Sequence, residues 1–378
     1  MNKKKIAVLT LPFHANYGGL LQAYALMEYL KKLGHYAELL YIQLEREPFI
    51  KTIKFFLKGF ILEYILKRRR FISLISSKEK KYIERNIRYF IDTYIVPKTD
   101  PIYNEKDFME IDQKPFDAYI VGSDQVWRPK WNRFINHAFF DFVKNDDAVL
   151  LSYAVSFGAD TWEFTEEATD LYKEQLKRFK GISIREDSGV ELCKRYFNRD
   201  AEHVLDPALL LTVDDYRKLI KKEYEMASNG ELLCYILDPN EDKDSLVKMG
   251  SKTMNLNPFS VNRKSNNKES PISDRVYPTV TSWLRGFDDA KYVITDSFHG
   301  CIFSILFNKP FIVYGNEMRG MARFTSLLKM FDLEDRLIYS TRELAEKTIK
   351  DDIDWEKVND KLKEYRKRSK YFLQDHLG

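Results

Sequence analysis

The residues best placed to do chemistry lie in Tyr292-Val-Ile-Thr-Asp-Ser-Phe-His-Gly300, followed by Cys301-Ile-Phe-Ser-Ile-Leu-Phe307. Lys291 to Thr295 is a short apolar run with β-branched residues, which suits a buried strand. Asp296 and Ser297 break it, and Gly300 opens a segment whose apolar positions suit a helix. Asp296, Ser297 and His299 would then sit where a strand ends and a helix begins. In open α/β sheets that edge binds ligands, and the helix N-terminus favours an anion. The plainer alternative has Asp296 capping the helix and His299 bonding a loop.

Three other stretches repeat the pattern. Pro12-Phe-His-Ala-Asn-Tyr-Gly-Gly19 follows a first strand, and two adjacent glycines let backbone N–H groups approach an anion closely. The spacing is not that of a GxGxxG fingerprint, so a dinucleotide is not indicated. Gly122-Ser-Asp-Gln-Val-Trp-Arg-Pro129 closes another strand. Asp124 and Gln125 suit sugar hydroxyls and the Trp127 indole suits a ring face, though Trp127 equally suits a core anchor. Gly181-Ile-Ser-Ile-Arg-Glu186 reads as a short strand delivering Arg185 and Glu186 to its end.

The elements that must carry these residues alternate strand and helix. Lys5 to Leu11, a helix from Leu20 to Leu33 and Tyr36 to Ile42 form a βαβ opening, and strands follow at Phe116–Val121 and Asp146–Val155. Near Leu210 the rhythm restarts, with strands at Glu231–Leu237, Lys291–Thr295 and Pro310–Tyr314. With 378 residues the chain exceeds one ordinary core. We expect an N-terminal domain over 1–209 with a basic helical insertion at about 48–92, a C-terminal domain over 210–350, and a final helix in 351–378.

Composition excludes several classes. Hydrophobic residues at 44% and charged residues at 31% describe a globular chain. Cys193, Cys234 and Cys301 form no CxxC pair, so neither a disulfide framework nor a zinc site is expected. The N-terminus lacks a signal-peptide pattern and no apolar run spans a bilayer, so a cytoplasmic location is expected. Between Lys51 and Arg85 there are eleven Lys and Arg against three Glu, a local excess that does not indicate nucleic acid. The apolar run 53–66 ending in Lys67-Arg-Arg-Arg70 reads either as a core cap or as a helix touching an anionic membrane.

Asn16-Tyr-Gly-Gly19, Gly122-Ser-Asp-Gln-Val-Trp127, Ser183-Ile-Arg-Glu186, Leu205-Asp-Pro-Ala208 and Thr295-Asp-Ser-Phe-His-Gly300 occur in one order. Together they resemble the polysaccharide pyruvyl transferase family, from the first strand to about Arg336. The resemblance implies an α/β fold of two Rossmann-like domains in a GT-B-like arrangement with a cleft between them. It also implies transfer of the enolpyruvyl part of phosphoenolpyruvate to hydroxyls of a sugar or lipid-linked oligosaccharide, giving a pyruvate ketal. Arg185 and His299 match the family's arginine and histidine, and Asn16 and Gly18 match its N-terminal loop. Where members commonly carry Arg-Leu-His, this chain has Ser297-Phe298-His299, so an arginine expected on the donor is absent.

Phosphoenolpyruvate carries a phosphate and a carboxylate, which arginine meets with paired hydrogen bonds. Ketal formation also needs proton transfer, work suited to a histidine beside a carboxylate. We therefore expect His299, Arg185 and Asp296 to be catalytic. Asn16, Gly18, Gly19, Ser297, Arg319 and Arg323 should bind the donor, the last two supplying the absent cation. Asp124, Gln125 and Trp127 should bind the acceptor. No metal or further cofactor is expected. Two rivals stay open: a glycosyltransferase using a sugar nucleotide, and a non-catalytic glycan-binding relative.

Overall fold

The computed structural model describes residues 3–43, 77–113, 116–316, 320–344 and 349–378. Arg319, the run 53–66 and Lys67 to Arg70 lie outside the described residues. Strands β1 (Lys5–Leu9), β2 (Tyr36–Leu39), β3 (Ala118–Val121), β4 (Val149–Ser152) and β5 (Phe179–Gly181) form a parallel sheet in the order β2-β1-β3-β4-β5. A short parallel pair, β6 (Ser183–Ile184) and β7 (Glu202–His203), continues from it. The second sheet contains β8 (Leu232–Tyr235), β9 (Pro258–Phe259), β10 (Tyr292–Thr295), β11 (Phe311–Tyr314) and β12 (Leu337–Ile338). Its order is β12-β11-β10-β8-β9, again parallel throughout.

Counted from its own first strand, the second sheet repeats the first: two, one, three, four, five. In each sheet the order reverses between the first and third strands, where crevices open beyond the strand ends. The central strands read as unbroken apolar runs because helices cover both faces. Ala118-Tyr-Ile-Val121 and Tyr292-Val-Ile-Thr295 are buried at every position. The α/β class with two parallel sheets is as the sequence suggests.

Three elements differ from expectation, each for a local reason. The first helix runs Tyr17–Lys32, starting three residues early, because the Asn16 side chain caps it by accepting from Gly19 N. Gly18 and Gly19 are therefore first-turn residues of a helix. The stretch Gly181–Glu186 is split between β5 and β6. The strand expected over Asp146–Val155 is confined to β4, ended by Ala154 in the left-handed region at φ 51°.

The last helix, Trp355–Leu377, ties the two halves together. Ser369 Oγ accepts from Leu205 N, and Lys180 Nζ donates to His376 O, both at 2.9 Å on the N-terminal side. Lys357 and Lys361 pair with Asp332 on the C-terminal side. One apolar core runs from Leu20, Leu26 and Ile120 through Leu205–Leu211 to Trp283, Phe303 and Leu373. The sheets are thus joined by shared burial and not only by chain connection. Among the described residues no helix is long and apolar enough to cross a membrane.

Candidate active site

The crevice residues of the second sheet are set by β10. Thr295 Oγ1 donates to Tyr235 O at 2.7 Å and accepts from Ser297 N at 3.0 Å, turning the chain sharply. Ser297 then caps the helix Phe298–Leu306, its Oγ accepting from Gly300 N at 3.3 Å. Gly300 seats that helix on the strand, since a Cβ there would lie 2.2 Å from Thr295 Oγ1. His299 is left in the first helical turn, 5% exposed and pointing at the N-terminal half.

That half presents a helix of its own. A Cβ at Gly18 would lie 2.1 Å from both Cγ and Nδ1 of His299, so helix Tyr17–Lys32 meets the imidazole with bare backbone. Tyr17 stacks on Trp283 at 5.6 Å and its hydroxyl donates to Pro278 O at 3.0 Å, fixing the approach. Gly19 lies beside Asn16 and Asp124.

Between these helix starts sits a buried charge cluster. Arg185 Nη1 donates to Asp206 Oδ2 at 2.7 Å and to Ser123 Oγ at 3.1 Å, and Ser123 Oγ donates to Asp206 at 3.0 Å. Asp206 Oδ1 accepts from Ala208 N at 2.9 Å. His299 Nε2 faces Asp206 Oδ2 at 3.6 Å, an ion-pair distance longer than a hydrogen bond. Asp124 Oδ1 stands 3.6 Å from Arg185 Nη2 and 3.9 Å from Arg323 Nη1. Asp124 itself is held at φ 77°, a conformation that costs free energy in a non-glycine residue. Both guanidiniums lie over Phe298, at 4.5 Å and 5.2 Å.

The electrostatics follow from burial and these partners. Burial pushes the Asp206 carboxyl up, but His299 and Arg185 more than offset it and hold it well below the usual range. Asp124 is likewise held down against burial by Arg185, His299 and Arg323. Arg323 goes the other way. Burial and the neighbouring Arg185 charge lower it to about 10. Two buried guanidiniums crowd one region, and Arg185 Nε and Nη2 have no hydrogen-bond acceptor among the described residues. An anion with several oxygens would satisfy them.

Beside Arg185, the Glu186 side chain is fully buried. Its Oε1 accepts from Ser156 Oγ at 2.9 Å and Phe157 N at 2.8 Å. Burial raises its carboxyl despite these bonds and Arg185.

Several expected site residues take other places. Trp127 is fully buried, stacks on Phe139 at 4.9 Å and donates Nε1–H to Ala138 O at 3.1 Å, so it is a core anchor and not a sugar platform. Asp296 does not serve His299. Its oxygens accept from Leu237 N at 2.7 Å, Asp238 N at 3.0 Å and Lys243 Nζ at 2.7 Å, bracing β8 against β10. Ser297 is the helix cap. Gln125 accepts from Arg128 Nη1 at 2.9 Å, and Arg128 in turn grips Glu163 with two bonds. Gly18, Asp124, Arg185, His299 and Arg323 do converge.

Asp206, Ser123 and Phe298 complete the cluster, and sequence reasoning does not mark them as site residues. Asp206 had a signal in Leu205-Asp-Pro-Ala208, an acidic residue followed by proline at a turn start. Ser123 and Phe298 had none beyond their motif neighbours.

Residues 16–318 match the model of a family described as polysaccharide pyruvyl transferase. No curated protein matches the chain. Among solved structures, UDP-N-acetylglucosamine 2-epimerase from Rickettsia bellii is similar at 12% identity and TM-score 0.49, over 99% of this chain and 97% of that one. A glycosyltransferase from Rickettsia africae ESF-5 aligns over 99% of both chains at 14% identity and TM-score 0.39. UDP-GlcNAc 2-epimerase from Neisseria meningitidis also aligns over 99% of both, at 9% identity and TM-score 0.46. Likenesses this distant carry no argument about the site. The family match spans most of the chain and includes every member of the buried cluster except Arg323, so the chain belongs to the polysaccharide pyruvyl transferase family and is a transferase.

Proposed function

We propose that the chain moves the enolpyruvyl group of phosphoenolpyruvate onto two hydroxyls of a glycan, closing a pyruvate ketal and releasing phosphate. The observation that carries this reading is the pair of buried guanidiniums, Arg185 and Arg323, over Phe298 and next to His299. A small ligand with phosphate and carboxylate groups needs two fixed cations close to a proton-transfer group. Ser297 takes no part in gripping the donor, and Arg323 supplies the second cation from the helix Ala322–Phe331.

In this reading protonated His299 gives its proton to the methylene carbon, making the methyl group. An acceptor hydroxyl bonds to the adjacent carbon and its proton returns to His299. Phosphate leaves with the electron pair of its carbon–oxygen bond. The second hydroxyl takes its place and its proton departs with the phosphate. Two hydroxyl protons are lost overall, one now in the methyl group and one on phosphate. Asp124 lies at the edge of the cluster, suited to an acceptor hydroxyl. The acceptor is a sugar or a lipid-linked oligosaccharide.

A thermal-shift screen of donors tests the reading. Phosphoenolpyruvate at one hundred times its dissociation constant should stabilise the protein by about 2.7 kcal/mol, and phosphate should appear only with a glycan acceptor. Stabilisation by sugar nucleotides and none by phosphoenolpyruvate would overturn it.

A further inference from the structure

We propose that Asp206 is the positioning residue of His299, keeping the ring hydrogen on Nε2 and leaving Nδ1 to exchange protons beside Gly18. This rests on the proton-transfer role given to His299 above. Among the described residues Asp206 is the carboxylate within ion-pair reach of the imidazole, and it faces Nε2. An ionised carboxylate only accepts, so at 3.6 Å it favours the hydrogen on Nε2, which is buried with no other partner among the described residues. The other nitrogen, Nδ1, lies against the bare backbone of Gly18.

Asp206 is unusually well fixed for this task. Its Oδ2 already takes hydrogen bonds from Arg185 and Ser123, and its Oδ1 takes one from Ala208 N. Pro207 stiffens the turn after it. The residue before it is held from both sides: Leu205 O accepts from Tyr153 OH at 3.1 Å and Leu205 N donates to Ser369 Oγ. Asp296, the carboxylate nearest in sequence, cannot substitute, because Leu237, Asp238 and Lys243 occupy it. The same Asp206 oxygen serves Arg185 and His299, so the proposed anion-binding and proton-transfer groups share one anchor.

Other charges also act on His299. Asp124 faces it from the loop after β3, and Asp124 itself stands within 4 Å of Arg185 at the end of β6 and of Arg323 in the helix Ala322–Phe331. Helix Tyr17–Lys32 presents Gly18, and His14 ahead of it is influenced by Asp124. Two carboxylates thus oppose two guanidiniums, and Asp206 alone of these lies on the Nε2 side within ion-pair reach.

The full-length protein labelled with ¹⁵N-histidine tests this directly. The His299 signals, identified by their loss in His299→Asn, should show the Nε2–H tautomer once the pH is raised until they stop changing. The Nδ1–H tautomer would overturn the proposal. This measurement needs neither substrate nor a variant of Asp206, so it fails separately from the donor assignment. In Asp206→Asn, kcat should fall by about 10²–10⁴-fold and the Nδ1–H tautomer should appear in the same spectra, as expected when a tautomer-setting carboxylate is lost. Donor affinity should fall as well, because Arg185 loses the same anchor, and Asp206→Glu should recover part of kcat. A variant with unchanged kcat and an unchanged tautomer would show that Asp206 only supports the fold.

Discussion

Gly18 and His299, one from each half of the molecule, meet so closely that a Cβ on Gly18 would lie 2.1 Å from the imidazole. This contact predicts an unusual mutant. Gly18 sits in the first turn of a helix, where alanine would ordinarily favour the helical state by up to about 1 kcal/mol. Gly18→Ala should nevertheless displace the ring and cost at least about 100-fold in kcat, since 1 Å misplacements reach that scale. Circular dichroism should stay close to wild type, while overpacking at the contact should cost about 1–3 kcal/mol of stability. Full activity in this variant would mean that His299 is not where the proton moves.

Arg323 carries the next prediction. Its pKa, lowered to about 10 by burial and by Arg185, means that the fold holds this cation at a cost while no anion is bound. Arg323→Gln should therefore raise the melting temperature of the protein without donor. It should also weaken phosphoenolpyruvate by about 10- to 100-fold, the value of a hydrogen bond to a charged group at 1.5–3 kcal/mol. A lower melting temperature with unchanged donor affinity would refute the assignment.

Much of this site is legible in the amino-acid sequence, for physical reasons. Strand ends with small and polar residues mark the crevices of parallel sheets, and His299, Arg185, Asp124 and Gly18 each lie at such an end. Direction is not legible in the same way. Asp296 and Asp206 are both acidic residues at turns, and only the pairing of β8 with β10 shows that Asp296 faces Lys243. Trp127 misleads similarly, because an indole near a polar motif looks alike whether it faces solvent or Phe139. Arg323 is placed by its position after β11, since every strand of the sheet runs the same way.

The correction for Trp127 is itself testable. Its ring fills the aromatic cluster of Phe139, Phe157 and Phe197 and its Nε1–H is bonded inside the core. Trp127→Ala should cost about 3–5 kcal/mol of stability, the range for truncating a buried Trp. Trp127→Phe should cost less and leave the acceptor KM unchanged. An acceptor KM raised tenfold or more in a folded Trp127→Phe protein would restore the sugar-stacking role.

Asp206 also predicts how stability depends on pH. Its carboxyl is held well below the unfolded value of about 3.9, so its contribution is fully present above that pH. The contribution is lost only as pH falls through the folded value, further towards acid. Asp206→Asn removes the carboxylate and leaves Arg185 buried beside Ser123 with a neutral partner, which is destabilising. The difference in melting temperature between wild type and Asp206→Asn should therefore be constant from about pH 7 to about pH 5 and narrow below about pH 4. Asp124 is held down as well, so Asp124→Asn should narrow in the same window. A gap that closes already between neutrality and about pH 5 would mean that Asp206 titrates there, and that His299 and Arg185 do not hold it ionised.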